Sequence, residues 1–294
     1  MSDFGSPAAR QRRLASELRR LRRGARLTGK DVATQLGWSE AKLSRIENGQ
    51  TRVKLTDLDE FMELYDVSGP HRAELVALAE ESRETGPLEE LGGDVPEGHA
   101  EILRAESEAQ AMSAWEPQVV PGLLQLEDYT RAVLQPWPGL FARPAAEVER
   151  RVQTSRLRQR VLTRAPPLEL SFVIDESVLL RGFATPSVMH DQLIHLAEIS
   201  EQPNIEVRVL PLSGSQVIPI GAFVYFRFPR IHGVSLPDTI ALEHLNGTTL
   251  VDSELEVNTY QVVFSALRDK SLSPRTSRDA LARVARDIWQ LGLG

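Results

Sequence analysis

The sequence predicts an all-α head of five helices followed by a larger mixed α+β domain. Three observations predict it. Over residues 8–83, apolar residues recur at helical spacing in five segments separated by glycines and cap-forming residues. Beyond residue 165, short runs rich in Val, Ile and Phe alternate with further helical segments. The chain has 294 residues, more than one domain of ordinary size holds. A first domain is expected over 1–84, a linker over the Gly-, Pro- and acid-rich stretch 85–98, and a second domain over 99–294.

In the head, Leu14, Leu18 and Leu21 form one stripe of a helix over 8–23, and Gly24 stops it. Thr28 is placed to cap a second helix, with Asp31 in the third position of a capping box. That helix buries Val32, Ala33 and Leu36 and ends at Gly37. Ser39 caps a third helix, which turns Leu43 and Ile46 inward and runs to Asn48 and Gly49. A fourth helix spans about 56–65, and a fifth opens at Pro70. In the second domain, helices are expected at 99–113, 122–134, 145–163, 186–200, 253–269 and 276–291, with a loop at 136–144. Strands are expected at 168–174, 205–210 and 222–228, with a hairpin of 239–243 and 248–251 around Asn246-Gly247.

Charge separates the two parts. Residues 1–54 carry 13 Lys and Arg against 5 Asp and Glu, while 55–294 carry 21 against 36. A basic head on an acidic body points to a polyanion at the head alone. The alternative is a solvated helix face carrying Arg10, Arg12, Arg13, Arg19, Arg20, Arg22 and Arg23. The chain has no cysteine, which excludes disulfides, thiolate metal sites and cysteine nucleophiles and fits a cytoplasmic protein. No run approaches the ~20 apolar residues of a membrane span, and no signal peptide is expected.

The informative segment is Leu27 to Lys54. Two short helices joined by Gly37-Trp38-Ser39 make a helix-turn-helix, whose second helix exposes Glu40, Ala41, Lys42, Ser44 and Arg45. Short side chains let such a helix sit deep in a major groove, and Arg45 can reach paired acceptors on guanine. Gly24 to Lys30 also matches the first seven places of a phosphate-binding P-loop. Asp31 stands where the magnesium-binding Ser or Thr belongs, and a helix rather than a strand precedes it, so a nucleotide site is not expected.

With Ser44-Arg45-Ile46-Glu47-Asn48-Gly49 at its end, this segment resembles the phage-repressor (Cro/CI, or Xre) helix-turn-helix family, and the five helices of 10–80 match that lambda-repressor-like head. The resemblance implies double-stranded DNA as the partner and a homodimer as the binding species. It implies that Glu40, Ala41 and Arg45 face base edges. Thr28, Gly29, Lys42, Asn48, Arg52 and Lys54 are implied to meet phosphates, with Ser39 and Ser44 on the same surface. Glu47 is read as a brace. Many relatives carry glutamine near Glu40 and Ala41, so base preference does not transfer, and many carry proline near Val53, so the exit from the basic loop does not transfer either.

The second domain offers little catalytic chemistry. His99, His190, His195, His232 and His244 are scattered, and no metal motif, nucleophile elbow or cofactor loop is present. Asp175-Glu176 reads either as a helix cap or as an acid pair, and the latter would make the body hydrolase-like. Leu123, Leu124, Tyr129, Trp115 and Trp137 read either as core or as the lining of an apolar cleft. Val120-Pro121-Gly122-Leu123-Leu124-Gln125, Tyr129, Arg158-Gln159, Asp175 to Leu179, Gln192-Leu193 and Val209-Leu210-Pro211 resemble a C-terminal domain found behind Xre-type heads in actinobacterial regulators. That resemblance implies an antitoxin-like transcriptional regulator whose body binds a small neighbour-encoded protein or a small-molecule ligand. The motifs themselves read equally as a site or as fold signatures. No enzyme activity, cofactor or metal is expected.

Overall fold

A computed structural model describes residues 7–83, 97–135, 144–213, 219–244 and 247–290. The expected linker lies largely outside these residues, and Trp137 and Asn246 lie wholly outside them. Among the described residues, no helix is long and apolar enough to cross a membrane. The chain forms two compact units. One holds the residues up to 100 together with Phe228–Asp238; the other holds Glu101–Arg227 and the chain from Thr239 on.

The first unit is the expected five-helix head: α1 (Pro7–Gly24), α2 (Gly29–Gln35), α3 (Glu40–Glu47), α4 (Leu55–Leu64) and α5 (Gly69–Glu81). Local chemistry sets each boundary. The Thr28 hydroxyl accepts from the Asp31 amide while Asp31 accepts from the Thr28 amide, a reciprocal box at the start of α2. Ser39 accepts from the Lys42 amide and opens α3. Gly37 and Gly49, both at φ +67°, follow α2 and α3 in the left-handed conformation that ends helices. Leu14, Leu18, Val32, Leu43, Ile46, Leu58, Phe61, Leu75 and Leu78 close one core between the helices. Trp38 meets the Phe61 ring edge-on at 5.0 Å, which anchors the turn between α2 and α3 to α4.

The second unit begins within α6 (Glu97–Glu108), at Glu101, and contains a six-stranded mixed sheet in the order β3-β2-β1-β4-β5-β6. The strands are β1 (Ala111–Glu116), β2 (Glu169–Asp175), β3 (Ile205–Leu210), β4 (Phe223–Arg227), β5 (Thr239–His244) and β6 (Gly247–Val251). The first three run parallel; β4, β5 and β6 add antiparallel. Helices α7 (Glu127–Leu134), α8 (Ala145–Arg158), α9 (Glu176–Leu180) and α10 (Pro186–Ile199) lie between the parallel strands. After β6 come α11 (Glu254–Lys270) and α12 (Pro274–Val284), which continues as a π-helical turn, Ala285–Gln290. Trp115, Val173, Leu210, Phe223 and Ile240 on one sheet face pack with Val257, Phe264 and Leu267 of α11.

One expected element is replaced. The sequence predicts one helix over 99–113, whereas α6 stops at Glu108 and the chain enters β1, the strand that joins the parallel and antiparallel halves. Ala, Met and Glu in this stretch favour helix. Ala111, Met112, Ala114 and Trp115 are all buried, so β1 shows no polar alternation to betray it. The segment expected as one helix at 122–134 divides into a 3-10 turn, Gly122–Leu124, and α7.

The recurring motifs of this unit converge on that turn. Gln125 donates to the Val120 carbonyl at 2.7 Å, and the Tyr129 hydroxyl accepts from the Val120 amide. Gln192 bonds both sides of the turn, donating to Leu124 and accepting from Leu126, and Gln159 donates to the Gln125 carbonyl. Arg158 pairs with Glu106, which is almost wholly buried. Trp115, Leu123, Leu124 and Tyr129 are buried as core, so they do not line an open cleft. Asp175 caps α9 by accepting from Ser177, and Glu176 accepts from the Leu212 amide.

Candidate nucleic-acid interface

The exposed face of α3 is built by what its buried face must do. Leu43 and Ile46 turn into the core, so helical spacing leaves Glu40, Ala41, Ser44 and Arg45 outward, and all four are exposed. The Arg45 carbonyl accepts from the amides of Gln50 and Thr51, while among the described residues none engages its guanidinium, which is available to a ligand. Thr28, Arg52 and Lys54 are exposed beside it in sequence, and Gly29 is half-buried. The capping box occupies the amides of Thr28 and Asp31, and hydrogen bonds from Thr28, chiefly its hydroxyl, hold the Asp31 carboxyl below its ordinary range. The amides of Gly29 and Lys30 remain at the mouth of α2.

Two proposed phosphate contacts carry other duties. Lys42 lies 3.5 Å from the centre of the Trp38 ring and pairs with Asp57 at 3.0 Å. Asn48 donates to Ser44 and accepts from Arg19 at 2.6 Å. Both residues therefore brace α3 as found.

Glu47 is buried, as a brace should be. Its two carboxylate oxygens accept from Arg22 at 2.8 Å each, and its carbonyl accepts from Arg19 at 2.6 Å. Arg19 and Arg22 thus hold the last turn of α3 against α1, where cations also complement the helix dipole. Gln11 adds a bond to the Gly49 carbonyl at 2.6 Å.

Arg19, Arg22 and Arg23 line a groove of about 520 Å³ with Gly29, Ala41 and Ser44. The sequence predicts α1 as a basic helix but does not place its arginines beside the α3 face. The signal was the cluster of arginines itself, but its direction required the packing of α1 on α3. The α1 guanidinium groups form one wall of this groove, with Glu40 and Glu47 also in its lining, and a row of guanidinium groups beside small residues suits a phosphate backbone.

The sheet unit carries its own open groove, of about 860 Å³. Its lining includes Ser113, Ser171, Glu206, Tyr225, Gln261 and Arg268. Arg268 and Arg208 outweigh the cost of burial and hold the Glu206 carboxyl below its ordinary range. Among the described residues, no cluster of His, Cys, Asp or Glu could hold a metal ion.

Comparison with known proteins matches each half of the chain to a family. Residues 13–75 match a family described as a helix-turn-helix domain. Residues 99–283 match one described as a domain of unknown function (DUF5753). No curated protein and no solved structure matches the chain. The second match spans more than half of the sequence, and the chain belongs to the DUF5753 family, with a DNA-binding helix-turn-helix domain at its head.

Proposed function

We propose that this chain is a sequence-specific transcriptional regulator of the Xre type, acting in the cytoplasm. In this reading α3 enters the major groove, with Glu40, Ala41 and Arg45 against base edges. Thr28, Gly29, Arg52 and Lys54 meet phosphates, joined by Arg19 and Arg23 of α1. The observation that carries it is the exposed Arg45 side chain, unpaired among the described residues, on a short helix whose other face is locked into the core. A single head covers few base pairs, so the binding species is a homodimer on half-sites ~34 Å apart. The body is antitoxin-like and binds rather than catalyses, taking a small protein or a small-molecule ligand. Asp175 acting as the cap of α9 favours binding over the hydrolase alternative, and the groove beside Ser171 and Glu206 offers a ligand space.

The test selects duplexes from a random pool and measures affinity by fluorescence anisotropy over a salt series. Affinity should fall steeply with salt, because bound phosphates release counterions. Arg45→Ala should cost about 1–3 kcal/mol on the selected duplex and relax preference at one position. Arg52→Ala should weaken all duplexes alike and lower the salt slope by about one. Equal affinity of wild type and a Glu40→Ala/Arg45→Ala variant for the selected duplex would overturn the reading.

A further inference from the structure

The segment between β4 and β5 belongs to the DNA-binding unit. The chain leaves the sheet unit at Arg227, contributes Phe228–Asp238 to the first unit, and returns at Thr239. Its tip is a miniature hairpin: Ile231 and Val234 exchange two backbone hydrogen bonds of 3.0 Å. His232 and Gly233, at φ 47° and 69°, form the two-residue turn that suits such a hairpin.

The tip is packed into the head. Val234, 2% exposed, is part of the same core as Leu14, Leu18, Leu75 and Leu78, and Ile231 packs against that core. Gly233 sits so close to Glu74 that an added Cβ would lie 2.5 Å from its carboxylate. His232 bonds Glu81 at 3.0 Å, and Glu81 pairs with Arg10 at 2.9 Å. Arg13 is fully buried and donates to the Pro229 carbonyl at 2.6 Å.

The Arg13 contact is an expensive one. Among the described residues its Nε and second terminal nitrogen have no hydrogen-bond partner, and burial, with Arg12 nearby, pulls its pKa down to about 10. A buried cation with one acceptor is poorly repaid for its lost hydration. The strap is therefore held by apolar packing against an electrostatic cost, the balance expected of a contact that can be released.

Helix α1 connects this contact to the recognition helix. Arg13, Leu14 and Leu18 meet the strap or the core it completes, and Arg10 is linked to His232 through Glu81. Gln11, Arg19 and Arg22 of the same helix hold Gly49, Asn48 and Glu47 at the end of α3. We propose that the 228–238 strap is a regulatory element: seated, it sets α1 and through it the pose of α3, so DNA affinity depends on whether the strap is in place. Because its two ends are β4 and β5, an event that re-pairs those strands can unseat it. The inference rests on reading α3 as the DNA-contacting helix. Coupling of this kind is reciprocal, so DNA binding must in turn hold the strap down.

The test uses the full chain, the duplex it selects, and hydrogen exchange. Bound duplex should slow exchange of the amides at 231 and 234. Without DNA, Val234→Asp and Gly233→Val should speed exchange over 40–48. Both variants should also weaken duplex binding on the order of tenfold. Arg45→Ala should lose duplex affinity with strap exchange unchanged. Where Val234→Asp strips protection from α2 and α4 as well, Gly233→Val, which strains the turn and displaces the end of the Glu74 side chain but leaves the apolar core intact, decides. Unchanged exchange over 40–48 in that variant overturns the proposal, as does wild-type affinity for the duplex. Should wild type select no duplex, the DNA-binding reading fails, and the exchange over 40–48 still decides whether the strap governs α3.

Discussion

Glu47 shows how one residue can look like a contact and act as a support. It lies in the middle of the run Ser44 to Gly49, yet its carboxylate is turned from solvent and spent on Arg22. Removing one partner of a buried, bidentate pair leaves the other charged and unpaid. Glu47→Ala should therefore destabilise the head by about 3 kcal/mol, read as a fall in denaturant midpoint. An Arg22→Met/Glu47→Met pair should recover much of that loss. Equal stability of wild type and Glu47→Ala would remove the brace from the account. Arg45 is the opposite case: its side chain is exposed and, among the described residues, unbonded, while its carbonyl bonds the amides of Gln50 and Thr51 whatever the side chain, so its replacement should leave stability unchanged while altering base preference.

Among the elements, α3 is short and depends on its ends. Eight residues are too few for a helix to persist in water by propensity alone. Ser39 supplies an acceptor to the Lys42 amide at one end, and Gly49 permits the left-handed exit at the other. Ser39→Ala should cost about 1 kcal/mol, and part of that should reappear as weaker DNA binding, since a frayed first turn carries Glu40 and Ala41. A thermal melt with a parallel anisotropy titration checks both. An unchanged melting temperature would mean that packing on Leu43 and Ile46 alone defines the helix. The strand β1 makes the complementary point: buried on both faces and composed partly of helix formers, it exists because β2 and β4 flank it.

Across the whole molecule, pH should read out the sheet unit. Glu116 ends β1, where burial, reinforced by Glu243 and opposed by Arg158, pushes its carboxyl up to about 8. The unfolded carboxyl titrates near 4.5, so between these values the folded chain binds the extra proton and stability falls as pH rises. Glu116→Gln should flatten that slope from pH 5 to 8 and leave the variant more stable than wild type at pH 8. Urea midpoints taken across this range provide the check. A wild-type midpoint that rises over the same interval from this unit would refute the placement of Glu116.

The head was legible because its signals are local. Caps at Thr28 and Ser39, glycines at 37 and 49, and apolar residues at helical spacing act within a few residues of one another, so composition and order suffice to place the helices and their outward face. The strands β2 to β6 could be seen for the same reason, being bounded runs of branched and aromatic residues. Contacts between distant parts of the chain were decided by tertiary packing. Arg158 and Glu106 pair across 52 residues, and Arg13 meets Pro229 across 216. Burial of β1 on both faces erased its alternation, and entry of Val234 into the head's core assigned a loop of one unit to the other. Each depends on excluding water from groups that meet only after the chain has folded, and no window of sequence contains both partners.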